Sequence, residues 1–296
     1  MAHIFIKYRL ERFQKRWSQF WTAYKRNRLG IVGIFLLATI LALAIFADVL
    51  TPYGPFERTN DIAQPPSLEH PLGTNRLGQD ILTILFHGLR VSLAIGFVAG
   101  VFCVVLGSII GVASGYIGGW TDEVVMRITD IILVLPALPL MLLISSLPGI
   151  SLHWTLTASI YVVVFWPVSA RIVRGQALSL KERAFVLSAK SAGAGSPYII
   201  FRHILPNVFA LVLTMIITSA RQAILYEAVL AYLGFGDPLN RSLGLMLREA
   251  QDEAALALGA WWLIIPPGLA IAIATLSFAF IGVALDEIVN PRLRRR

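Results

Sequence analysis

The 296-residue chain is 57% hydrophobic and only 14% charged, with a mean hydropathy of +0.73. Soluble domains carry about 25% charged residues, so a soluble globular protein is excluded, and the single Cys103, read as a small packing residue, excludes an internal disulfide framework or a multi-cysteine metal site. The net charge of +8 would suit a nucleic-acid partner if the cations lined one surface, but they gather at the two ends and in one central segment, which is the pattern of membrane orientation.

Residues 1–29 set Lys7, Arg9, Arg12, Lys15, Arg16, Lys25, Arg26 and Arg28 against Glu11 alone and interleave Phe5, Phe13, Trp17, Phe20 and Trp21. That composition predicts an amphipathic helix on the cytoplasmic face, its cations near anionic lipid headgroups and its aromatics in the interface. Gly30 to Leu50 is the first apolar run, about the 20 residues a bilayer requires and longer than the core of a cleaved signal peptide. Residues 51–88 are expected as a proline-rich extracytoplasmic loop in which Arg58 and Arg76 face Glu57, Asp61, Glu69 and Asp80. Its glycines and Pro71 predict a compact turn, with Asp80 capping a helix that starts at Ile81. A second span, from near Val91 to Tyr116, presents Gly96, Gly100, Gly107, Gly111 and Gly115, spacing that lets another helix backbone approach closely. The third, running to about Leu147, is expected to be bent by Pro136 and Pro139. At its start Arg127 and Asp130 are read as a structural pair at the cytoplasmic boundary. The fourth span is placed at Leu152 to Ala170.

Next comes Glu182 to Asn207, a helix-forming stretch of soluble type between two apolar runs. Arg171, Arg174, Lys181, Arg183, Lys190 and Arg202 meet only Glu182 around it, so it is expected inside. Read at helical period, Phe185, Ala189 and Ala192 share a face, and Gly193, Gly195 and Pro197 break the helix before a second short one running toward Pro206. Helix, sharp turn, helix is the predicted unit. The fifth span follows as Asn207 to Phe235, then an acidic loop at 236–253, and a last span, about Leu256 to Leu285, bent by Pro266 and Pro267. A basic tail, 286–296, carries Arg292, Arg294, Arg295 and Arg296. Charge signs that alternate across six spans place both ends in the cytoplasm.

The segment with Ala189, the turn at Gly193 and the Leu205-Pro206 ending resembles the "EAA" coupling loop of ABC-importer permeases. Phe201-Arg202-His203-Ile204-Leu205-Pro206-Asn207 is similar to the dipeptide, oligopeptide and nickel branch, as are His70-Pro71-Leu72-Gly73-Thr74-Asn75-Arg76-Leu77-Gly78-Gln79-Asp80 and the stretches 115–120 and 126–130. Leu187-Ser188-Ala189 stands where the family motif has Glu-Ala-Ala, and Asn75 and Gln79 replace an acidic and a basic residue. The resemblance spans nearly the whole chain and implies an all-α polytopic membrane protein with the type I ABC-importer permease fold, whose permease core occupies 89–285. It implies four kinds of partner: a homologous second permease, two ABC ATPases, an extracytoplasmic solute-binding protein and lipid. ATP and Mg would then reside on the ATPases, and the 182–206 loop would dock on them through Phe185, Ala189, Gly193, Ala194, Phe201, Arg202, His203, Leu205 and Pro206.

No GxxxxGK[ST] phosphate loop, HExxH or GxSxG occurs, and the five histidines lack ligand spacing, so no catalytic residue and no metal site is expected. Arg221 and Glu227 inside the fifth span are read as lining a translocation path or forming an intramembrane ion pair, because a charge near the bilayer centre costs about 2.5–3.5 kcal/mol on insertion scales. The cargo expected is a di- or oligopeptide, with oligosaccharide or nickel as alternatives for the same machinery. A rival class, an ion-gradient-driven secondary transporter, predicts an inverted repeat and more acids at midplane, and neither is evident.

Overall fold

A computed structural model describes residues 21–22, 24–148 and 153–289. The amphipathic segment expected over 1–29 lies largely outside these residues, as does the arginine-rich end of the tail. The described chain is helical, with one isolated β-bridge between Thr74 and Asp80. Five of its helices are long and apolar enough to cross a membrane, and a sixth crossing is made if one bent pair counts as a single span.

The first spanning helix, α1 (Arg28–Ile45), is capped by Asn27, whose side chain accepts from the Gly30 N–H. One further turn, α2 (Ala47–Leu50), follows a kink at Phe46. α3 (Ile81–Ile117) has 37 residues, about 55 Å at 1.5 Å per residue, and so exceeds the bilayer core of about 30 Å. It starts ten residues before the expected Val91, because Asp80 caps it at Ile81. The bent pair is α4 (Gly119–Val134) and α5 (Ala137–Ser145), which meet at 89° across Leu135 and Pro136. Pro136 thus breaks the span, as the sequence predicts, whereas Pro139 lies in the first turn of α5.

α6 (Trp154–Lys181) runs past Ala170 and through Arg171 and Arg174. Both arginines are held by α4: Arg174 is bidentate to Asp122 at 2.5 and 2.6 Å, and Arg171 pairs with Asp130. The expected Arg127–Asp130 pair is therefore replaced by Arg171–Asp130, and Arg127 is exposed. These two ion pairs also remove two of the cations credited to the central loop.

The helix–turn–helix unit expected from Glu182 to Asn207 forms an elbow of α7 (Ala184–Ser191) and α8 (Ser196–Ile199), and α9 (Leu205–Leu230) is the fifth span. Next, the region expected as a loop at 236–253 holds α10 (Leu243–Asp252), capped by Ser242 and burying Leu243, Met246 and Ala250. The signal was present in the spacing of those apolar residues behind a serine. α11 (Ile265–Val289) is the last span, and Pro266 and Pro267 lie in its first turn. They start the helix rather than bend it, since first-turn N–H groups have no partner to lose.

Gly96, Gly100, Gly107, Gly111 and Gly115 of α3 fall within a stripe about 100° wide. Its first half meets α9, where a Cβ on Gly100 would sit 2.6 Å from the Ala220 N. Its second half meets α6, where a Cβ on Gly107 would sit 2.5 Å from the Ser169 Cβ. One small-residue stripe therefore seats two crossing helices. α1 packs on α11, with Gly33 against Phe280 and the Ser277 carbonyl.

The 51–80 loop is tied to α10 and to the turn before α11. Asn75 Oδ1 accepts from the Leu77 and Gln79 N–H groups at 3.0 and 2.9 Å, Arg241 donates to Gln79 Oε1 at 2.8 Å and pairs with Glu249 at 3.0 Å, and the Trp262 indole donates to the Thr74 carbonyl. Burial pushes the Glu249 carboxyl up despite the charge of Arg241. Asp80 accepts from the Thr83 N–H at 2.8 Å and bonds the buried His70 at 2.9 Å. Asp80→Ala should lower stability in a detergent thermal melt by about 1–3 kcal/mol, from a lost cap and an unpaired buried imidazole, while Asp80→Asn keeps the capping oxygen and loses less.

Candidate functional site

The elbow begins where α6 ends at Lys181 and the chain turns at Arg183 into α7. Its corner closes by two hydrogen bonds: the Ala194 N–H reaches back to the Ala189 carbonyl and the Gly193 N–H to the Lys190 carbonyl, each at 3.0 Å. This is the six-to-one and five-to-two pattern of a Schellman cap, which needs a left-handed residue at its centre. Gly193 supplies it at φ +83°, with open space around the position a Cβ would take. Gly195 then precedes α8, and Pro197 lies in the first turn of that helix, where a missing N–H is harmless.

The second arm is not a separate helix. From Ser196 the chain continues through a wide turn at Ile200–Ile204 and on into α9, so one helical path runs from Ser196 to Leu233 and ends at Gly234, whose φ is +101°. Pro206 explains the wide turn: it has no N–H to return, and the Leu205 N–H bonds the Ile200 carbonyl five residues back. The expected break before a span at Asn207 is thus replaced by a direct connection.

The elbow is seated by Val186, Ile199, Ile204 and Val208, all buried against Val112, Tyr116, Val173, Ala177 and Leu180 of α3 and α6. Ala189 and Ala194 pack partly against the same cluster. The side of α7 that meets the bundle is distinct from the Phe185–Ala192 face. Val186 is 1% exposed, whereas Phe185 is 42% exposed and Ala192 is exposed. Phe185, Leu187, Tyr198 and Phe201 (72% exposed) are left as an uncovered apolar group, with Arg183, Lys190 and Arg202 exposed around it. The His203 ring stands between the arms, 5.9 Å from Phe185 and 5.7 Å from Tyr198. Leu205 is half-buried and Pro206 exposed. The site is shaped to present apolar surface and positive charge, and it gathers no nucleophile–base pair.

Arg221 and Glu227 are not brought together within the chain. Six residues on a helix place them about 120° apart around the axis and about 9 Å along it. Glu227 is buried and accepts from Ser92 Oγ at 3.1 Å, while Ser92 Oγ accepts from the Leu243 N–H at 3.1 Å, so one carboxylate links α3, α9 and α10. Arg221 keeps a buried Nε with no hydrogen-bond partner. The two residues form no ion pair with each other in this structure. No pattern in the sequence pointed to Ser92.

A family model described as binding-protein-dependent transport system inner membrane component matches residues 104–295, and one described as the N-terminal TM domain of oligopeptide transport permease C matches residues 15–66. The chain is 35% identical over 281 residues to the dipeptide transport system permease protein DppC of Alkalihalophilus pseudofirmus, covering 94% of the chain and 90% of that protein. To the oligopeptide transport system permease protein OppC of Bacillus subtilis it is 35% identical over 282 residues, with coverage of 94% and 90%. To the glutathione transport system permease protein GsiD of Pectobacterium atrosepticum it is 31% identical over 285 residues, with coverage of 94% and 92%.

Proposed function

Since the chain belongs to the family of binding-protein-dependent transport system inner membrane components, we propose that it is the peptide-carrying permease subunit of an ATP-driven importer, coupled to separate ATPases through the elbow at Gly193. Both termini and the elbow face the cytoplasm, and the 51–80 loop with α10 faces outside. A homologous second permease completes the path, and an external solute-binding protein delivers cargo. Two ATPases hold the ATP and Mg; this subunit performs no covalent chemistry.

The observation that carries this reading is the helical path from Ser196 through α9 to Leu233, which ends at Gly234. A partner that grips Tyr198 and Phe201 holds the same helical path as α9, which carries Arg221. Closure of the ATPases on ATP would draw the two permeases' elbows together and bias a two-state bundle between inward-open and outward-open forms. Peptide is preferred as cargo because the relatives named above are described by dipeptide, oligopeptide and glutathione transport.

Affinity purification of the tagged chain from membranes is expected to bring down the second permease and both ATPases. Vesicles holding that complex should import mixed tripeptides only when ATP is inside and the binding protein outside. Uptake driven by an ion gradient without ATP would overturn the reading.

A further inference from the structure

A cavity of about 260 Å³ opens between α3, α6, α9 and α11. Thr214, Thr218 and Gln222 line it at every fourth position of α9 and so share one face. The Thr214 and Thr218 hydroxyls donate to the carbonyls of Ala210 and Thr214, at 3.3 and 3.2 Å. Their protons are committed to the helix, and what they offer the cavity is oxygen lone pairs. The Tyr161 hydroxyl is likewise engaged with Ser219.

Among the described residues Asp286 of α11, itself solvent-exposed, is the one charged residue in the lining, and it has no hydrogen-bond or ion-pair partner. Among the described residues the lining therefore sets hydroxyl and amide acceptors and one negative charge beside Phe165, Val168, Ile172, Leu211 and Met215, and includes no lysine or arginine. A primary ammonium group, with three donors and a positive charge, is its chemical complement. The volume is below the roughly 300–1,000 Å³ of pockets that enclose a whole small ligand, so it fits one end of a longer molecule. Gln222 both donates and accepts, which suits it to a peptide bond irrespective of the side chain beside it.

Resting on the peptide-import reading above, we propose that this cavity is a transit subsite for the free amino end of the imported peptide, with Asp286 as counter-charge, Thr214 and Thr218 as acceptors and Gln222 on the first peptide bond. An amino end is common to all unmodified peptides, so the subsite holds cargo of any sequence while it leaves the binding protein.

The test uses the assembled importer carrying Cys103→Ser and Ile172→Cys, the latter on the cavity wall, and follows labelling by a maleimide. Mixed tripeptides with free amino ends should slow labelling roughly tenfold, the scale of a charge-assisted hydrogen bond, and the same mixture N-acetylated should not. Asp286→Asn should abolish the difference and Asp286→Glu should restore it. If Asp286→Asn does not assemble, Thr218→Val keeps the volume, removes an acceptor and carries the same expectation. Equal protection by both mixtures, or undiminished protection in Asp286→Asn, overturns the subsite and leaves peptide import standing. Import of neither mixture by the unmodified complex overturns peptide import, and the subsite with it.

Discussion

Gly193→Val is expected to leave the permease folded and inserted but to reduce ATP-driven peptide uptake by at least about tenfold, while Gly193→Asn stays within about twofold of the parent. The left-handed conformation costs an ordinary L-residue roughly 1–2 kcal/mol, and a β-branched one more. About 1.4 kcal/mol is a factor of ten in a conformational equilibrium. Asn tolerates this region by local hydrogen bonding. Because nothing lies within 4 Å of the added Cβ, the penalty is conformational and does not spread into the core. Valine should therefore open the corner between α7 and α8 and leave the melting temperature of the bundle nearly unchanged. Uptake and ATP hydrolysis in the purified complex, set beside a thermal melt of each variant, measure both halves of the expectation. Full uptake by the valine variant would show that the elbow's angle does not matter to coupling.

Gly107→Leu is expected to abolish recovery of folded protein, and Gly175→Ala to leave it unchanged or slightly raise stability. A Cβ on Gly107 would sit 2.5 Å from the Ser169 Cβ and 2.6 Å from the Trp166 carbonyl, so leucine has to push α6 away along its length. Overpacking costs about 1–3 kcal/mol or more, and here it also opens the contact on which Gly111 and Gly115 depend. In α6 itself, Gly175 has nothing within 4 Å of its would-be Cβ, so alanine there gains roughly 0.5–1 kcal/mol of helix preference without a clash. Detergent size-exclusion profiles and thermal melts separate the two. Recovery of Gly107→Leu at parental levels would mean that the seam between α3 and α6 tolerates separation.

Much of the elbow was legible in the chain. A glycine followed at two-residue spacing by a glycine and a proline predicts a corner, and Gly193 stands at φ +83° where that corner falls. The buried side of α7 was not legible, since Phe185 and Val186 both suit an apolar face and only the packing on α3 and α6 buries Val186. Likewise α10 was read as loop because its charges dominate a hydropathy window, although Leu243, Met246 and Ala250 already spelled a helix face. The glycine stripe on α3 announced close packing but not that two helices would share it.

The family resemblance, and with it the permease fold, was carried by local motifs, and the matching family models and relatives bear it out. The sequence alone determined the number and order of the apolar runs, the cap at Asp80 and the break at Pro136, because each depends on neighbours within a few turns. Only the tertiary structure decided that Arg174 answers Asp122 at 52 residues' separation, that Glu227 answers Ser92 at 135, and that Arg221 is left without either. Inside a membrane every run is apolar enough to pack on every other, so which charges meet is fixed by how the helices cross and not by the pattern along any one of them.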